Sequence, residues 1–467
     1  MSSGYFDDLV GPLKRAAIDA YMTSREVGVW EIEGDRYTQD SVNGGDAYVT
    51  RPDENGEGGG DWETDNPVAD FFGVDRDEEF TTAFDDLRSW IDDKLKRWRD
   101  IPNGDDIATL AEYMRQAGKR LSTGVSSSGD TVTGDGGIAG DLVVIQENSD
   151  AMAGGLITAF KTDFLLQLGA AISGQHAIAL ILGGHLAAQE RMWTGTRESV
   201  VALIEQSTQG FKAAAKEAEL DWKVVLKVTG YVAAGVTLLA TDGVGSPVVD
   251  LGLKVLDDAV KEADKSTEKP APTFDSVKEA FGRDLKSLDA KITGQEEEID
   301  DNLITNLGQI RSDSGSYDLS RPPLLDVDDD SDLGKPGEIK IDPILVKEIT
   351  GTCMPSIAEA LHDAMDLVDK VADTTVLQRD DSIGVGASGP SQKYAELRWL
   401  LWELLGNLAS EVTYSAKTLE LAVEDIGQSD SSAKDALEKH ADDVEGRGIG
   451  ESGGANDPWN VPPTHGV

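Results

Sequence analysis

The 467 residues carry 42 Lys+Arg against 87 Asp+Glu, a net charge of −45. A surface this acidic repels phosphate backbones and anionic headgroups, which excludes general nucleic-acid binding and docking on membranes by charge. The single cysteine, Cys353, excludes an intrachain disulfide framework and a multi-cysteine zinc site, and five histidines leave little for a His-rich metal centre. No cofactor and no metal is expected.

Residues 1–70 open with a short amphipathic helix in which Leu9, Leu13, Ala16, Ala17, Ala20 and Tyr21 recur at helical spacing. The first 25 residues lack the basic start and apolar run of a cleaved secretory signal, so export, if it occurs, would need another route. A polar loop or weak hairpin follows, with Trp30, Tyr37 and Tyr48 as candidate strand residues. A helical bundle is expected over 71–260. Phe80, Phe84, Leu87, Ile91, Leu95 and Trp98 share one helical face. Pro102 ends that helix, Asp105 or Asp106 can cap the next, and the period resumes from Ile107 to Leu121. After a Ser/Gly segment, Ile138 to Glu190 contains no proline and is rich in Ala, Leu and Ile, which reads as one long helix. Residues 192–196, MWTGT, interrupt it, and a second helix is expected from Thr196 to Trp222.

Over 270–312 the stripe Phe274, Val277, Phe281, Leu285, Leu288, Ile292, Ile299, Leu303, Leu307, Ile310 predicts a long amphipathic helix with a coiled-coil-like seam. Residues 313–342 form an acidic linker. Residues 343–445 read as a second helical hairpin joined by a Gly/Ser-rich loop, and 446–467 as a disordered tail. In LRWLLWELLGNL the apolar residues almost surround the helix, so it should be buried. The fold class expected is mainly α: multi-helix bundles with long helical hairpins joined by acidic flexible linkers.

Trp193 and Gly195 are the leading site residues. A Trp at a helix–helix turn can insert between the helices, and a Gly two residues on permits the close approach a tight turn needs. In this layout, residues 138–222 resemble the Trp-x-Gly (WXG) helical hairpins of type VII secretion substrates, as a long actinobacterial-style member. The resemblance implies a helical, non-enzymatic protein without a cleaved signal peptide. It would be secreted or held in the cell envelope, and would pair with itself or a protein partner and engage the type VII machinery. The Gly/Ala/Val segment at 228–245 is also similar to what long relatives carry. The family's Tyr-x-x-x-acidic export pattern is missing after the hairpin: Tyr231 is followed by Gly235 and Tyr414 by Thr418.

Candidate contact faces are Phe274, Phe281, Leu288 and Ile292 on the long helix and Trp399 and Trp402 in the C-terminal hairpin, with self-packing as the alternative for each. Two other functions compete with secretion. Phe164 to Gln189 is 26 residues without a charged side chain, enough to span a bilayer in a membrane-active, pore-forming factor, although its glutamines, His176 and His185 also suit a buried bundle helix. The same helices with no export would make a cytoplasmic assembly protein. Asp326, Asp328, Asp330 and Asp332 alternate as in a calcium loop, but Ser331 and Gly337 stand where that loop needs Gly and Glu, so a solvated linker is the reading. Gly134 to Ala139 fits a nucleotide-loop pattern without the βαβ context. His176, His185, His362, His440 and His465 show no catalytic spacing, and Cys353 reads as packed and inert.

Overall fold

A computed structural model describes residues 4–25, 30–40, 45–65, 76–122, 137–216, 272–319 and 340–426, with the backbone of four strands between 230 and 256. The fold is mainly α, as the hydrophobic periodicity predicts. Helix α1 (Asp7–Thr23) leads into an antiparallel meander of β1 (Glu31–Glu33), β2 (Arg36–Gln39), β3 (Ala47–Thr50) and β4 (Trp62–Thr64), paired in chain order. The stretch expected as a loop or weak hairpin is thus a small sheet. Tyr37 fastens it to α1: its ring is buried and its hydroxyl donates to Asp19 at 2.8 Å. Arg51, just past β3, closes on the same carboxylate at 2.5 Å, so the buried Asp19 charge is neutralised where it sits.

Helix α2 (Asp77–Leu95) buries Phe80, Phe84, Leu87, Ile91 and Leu95, a 3-10 turn (Lys96–Trp98) ends it, and α3 (Gly104–Leu121) follows. The cap of α3 is Asn103. Asp105 and Asp106 lie in its first turn, where a negative charge suits the helix dipole.

The single helix expected from Ile138 to Glu190 is divided. Helix α4 (Gly137–Asp150) stops before Gly154, which takes φ +135°, and Ala153 forms an isolated β-bridge with Lys340. Helix α5 (Gly155–Ala159), a π-helical turn (Phe160–Leu165) and α6 (Leu166–Ala214) then continue as one rod of 60 residues. Residues 230–256, which begin in the Gly/Ala/Val segment, carry two antiparallel ladders, β5 (Gly230–Ala233) with β8 (Leu253–Leu256) and β6 (Thr237–Leu239) with β7 (Val248–Asp250).

Helix α7 (Phe274–Ser312) matches the long stripe and starts with a reciprocal capping box between Thr273 and Ser276. Helix α8 (Pro343–Glu348), a π-helical turn (Ile349–Cys353), α9 (Met354–Asp369) and α10 (Ser391–Ile426) complete the described chain, with α9 and α10 packed as the expected hairpin. Helix α6 is the axis of the molecule, since α1, α3, α7 and α10 all pack on it. Apolar residues from 1–70, 71–260, 270–312 and 343–426 therefore join one core. The tail at 446–467, the alternating aspartates at 326–332 and Gly134–Gly136 lie outside the described residues.

Candidate functional site at the Trp193 junction

The hairpin turn expected at Trp193 and Gly195 is not formed. Both residues lie inside α6, which runs unbroken from Leu166 to Ala214. The energetics favour continuity. A helical Gly costs about 1 kcal/mol, whereas fully burying a Trp side chain returns roughly 4–6 kcal/mol, and Trp193 is fully buried.

The segment serves instead as a seat for neighbouring elements. The start of α3 rests on Thr194: a Cβ on Gly104 would lie 2.0 Å from Thr194 Oγ1 and 3.2 Å from the Glu190 carbonyl oxygen. Arg197 donates to the Ile101 and Pro102 carbonyls at 2.7 and 2.8 Å and lies over the Tyr5 ring at 4.7 Å. The Ser199 hydroxyl donates to the Gly195 carbonyl at 2.7 Å.

Over Trp193 sits a charged cluster. The Arg379 guanidinium carbon is 4.9 Å from the indole centroid. Arg379 Nη2 donates to both carboxylate oxygens of Glu296 at 2.5 Å, and neither side chain reaches solvent. The Val385 N–H adds a bond to Glu296 at 3.0 Å. Burial pushes the Glu296 carboxyl up and Arg379 pulls it back, while burial pushes the Arg379 guanidinium down. The Gly/Ser-rich loop between α9 and α10 closes over this pair. Gly384 and Gly389 have φ of +64° and +54°, and a Cβ on either would meet the Glu296 carboxylate. On the outer side Arg97 bonds the Ser382 carbonyl at 2.9 Å and Asp289 at 3.1 Å, and Asp289 accepts from the Gly384 N–H. The cluster joins α6, α7 and the α9–α10 loop.

The candidate contact face on α7 is closed by the chain's own core, the self-packing alternative weighed for it in the sequence. Phe274, Phe281, Leu288 and Ile292 are all buried in the chain's own core. Phe274 meets Tyr21 and Phe211 at ring distances of 5.7 and 5.9 Å, and Phe281 meets Trp90 at 5.9 Å. Trp399 and Trp402 are half-buried, while Leu397, Leu400, Leu401, Leu404, Leu405 and Leu408 of the same helix are fully inside. The 164–189 segment is packed within the bundle: 72% of the most apolar window of its rod is buried.

Cys353 is buried in its π-helical turn, and burial together with Asp141 and Glu348 pushes its thiol up, which keeps it protonated. His362 lines a groove of about 460 Å³ between α9 and α10 with Glu359, Asp363, Lys417 and Glu420. Among the described residues no three His, Cys, Asp or Glu side chains converge to hold a metal.

Sequence reasoning missed Arg379 and Glu296, which are 83 residues apart. One signal was readable: Glu296 falls four residues after Ile292 and three before Ile299, an acidic residue inside an apolar stripe. Compared with family models, curated proteins and solved structures, the chain matches none.

Proposed function

We propose that this chain is a non-enzymatic helical protein of a type VII secretion pathway, an exported substrate or a scaffold that acts by helix–helix pairing. The observation that carries this reading is the Trp193 junction. Its aromatic and charged side chains fasten α6, α7 and the α9–α10 loop to one another, so they are engaged in packing rather than held free for chemistry. The secretion part rests on the Trp193-x-Gly195 sequence resemblance alone, since the hairpin turn that this motif would mark is absent and Trp193 is a packing residue inside α6. Trp399 and Trp402, half-buried on α10, are the residues we assign to pairing with a protein partner or a second copy.

Fractionating the native host into cytosol, membrane, wall and medium, with and without its type VII ATPase, tests the reading. Protein in the wall or medium only when the ATPase is present is the expected result. A cytosolic pool of equal size in both strains removes export and leaves a cytoplasmic helical scaffold. A membrane pool independent of the ATPase moves the assignment to insertion by residues 164–189, part of the Gly155–Ala214 helix that is long and apolar enough to cross a bilayer.

A further inference from the structure

Three polar side chains stand one turn apart on α6: His185, Gln189 and Trp193. They are 2%, 2% and 0% exposed, and side chains at this spacing are neighbours on a helix surface. His185 Nε2, Gln189 Oε1 and Trp193 Nε1 have no hydrogen-bond partner among the described residues. Arg379, whose guanidinium lies over the Trp193 ring, contributes a fourth such atom, Nε.

The four atoms have defined roles. His185 Nδ1 lies 2.6 Å from the Ile181 carbonyl oxygen, so Nδ1 carries the proton and Nε2 is left as an acceptor. Burial lowers the pKa of this imidazole, which keeps the ring neutral. Gln189 Oε1 is a second acceptor, and the indole N–H and the Arg379 Nε–H are donors. Each such atom left unpaired lowers the folding equilibrium by roughly five- to a hundredfold, and four together would consume a large share of a domain's marginal stability. A ligand that satisfies them must both give and accept hydrogen bonds. An anion has no proton for His185 Nε2 or Gln189 Oε1, and the charge of Arg379 is already met by Glu296. A cation finds no carboxylate free among the four. Water, with two protons and two lone pairs, matches two acceptors and two donors.

We propose that the buried seam beside Trp193 is a built water site, in which a short file of ordered waters bridges His185 Nε2, Gln189 Oε1, Trp193 Nε1 and Arg379 Nε. The file fixes the register of α6 against the Arg379 loop, because any slip strands polar atoms in a dry core. This inference does not depend on the secretion reading.

A crystal structure of the full chain, at a resolution that places water, is the direct test. Ordered waters about 2.7–3.2 Å from these atoms are expected. A dry seam, or Gln189 Oε1 accepting directly from the Trp193 indole, overturns the proposal. Gln189→Met, close in shape but without the acceptor, gives an independent reading by urea denaturation. With water in place, the substitution breaks the file and lowers the folding equilibrium about tenfold. In a dry seam it removes an unpaired acceptor and leaves stability unchanged or raised. If that variant fails to fold, the crystal structure of the unaltered chain decides through the presence or absence of water at these four atoms.

Discussion

Among the described residues, Glu296 alone balances the charge of Arg379, with both side chains sealed from solvent. Removing one partner of such a pair costs far more than the pair is worth against an apolar replacement. Glu296→Gln is therefore expected to lose about 3–5 kcal/mol in urea denaturation. The double variant Glu296→Leu, Arg379→Met should recover most of that loss; a double variant as damaged as the single one sinks the ion-pair account. A steric example is Gly174 on α6, where a Cβ would lie 2.6 Å from the Ser316 carbonyl oxygen and 2.7 Å from the Tyr317 ring. Backbone cannot yield as a flexible side chain can, so Gly174→Ala should cost about 1–3 kcal/mol, read as a lowered Tm. His176 gives the residue scale its pH dependence. Burial lowers its pKa from 6.5 to about 4. Between those values the unfolded chain binds a proton that the folded chain refuses, so stability is full above pH 6.5 and falls as pH drops toward 4. The slope is about 1.4 kcal/mol per pH unit for each such histidine. His176→Leu should flatten the urea midpoint between pH 6.5 and 4.5 relative to the unaltered chain; identical pH profiles would exclude His176 as the source.

Two faces that looked alike in sequence separate at the scale of the element. Leu288 of α7 is sealed in the core, and Trp399 of α10 is half-buried. Leu288→Ala should lose about 2–5 kcal/mol through lost burial and the cavity left behind. Trp399→Ala should change stability by less than about 1 kcal/mol and weaken partner or self-association, measured by sedimentation on the same samples. A large stability loss at Trp399 would mean that this ring also belongs to the core. The rods themselves were legible: the α7 stripe and the face from Phe80 to Leu95 are local patterns, and local patterns are what periodicity reports. The break at Met152–Gly154 was not legible, because it is fixed by a bridge from Ala153 to Lys340, nearly two hundred residues away. Trp193 shows the opposite mismatch between local signal and packing. Thr194 and Gly195 suggested a turn, but the weak cost of a helical glycine is exceeded by the packing of Trp193 against Arg379 and of Thr194 against Gly104. Of the cluster over Trp193, the sequence singles out the indole, as a turn residue, while the Arg379 that covers it lies in a Gly/Ser-rich connector with no periodicity to mark it.

For the whole molecule the governing fact is imbalance. At most 42 of the 87 carboxylates can find a Lys or Arg of their own, so a net of 45 negative charges remains however the surface is arranged. Folding concentrates those charges on one compact surface, and their mutual repulsion opposes the compact state. Ion pairs act in the other direction. Arg51–Asp19 and Lys14–Asp92 join separate elements at 2.5 and 2.8 Å, and salt weakens such pairs where they meet solvent. Exposed pairs contribute only about 0–1 kcal/mol each, and the buried Arg379–Glu296 pair is shielded from salt by its burial. The repulsive sum should therefore dominate the salt response. Screening shrinks from about 10 Å at 0.1 M to about 3 Å at 1 M, so Tm should rise as NaCl or KCl is raised across that range, equally for both salts. A rise seen with sulfate but not with chloride would indicate strengthened apolar burial instead. A Tm that falls with chloride would show that cross-element ion pairs, rather than repulsion, set the stability of the folded chain.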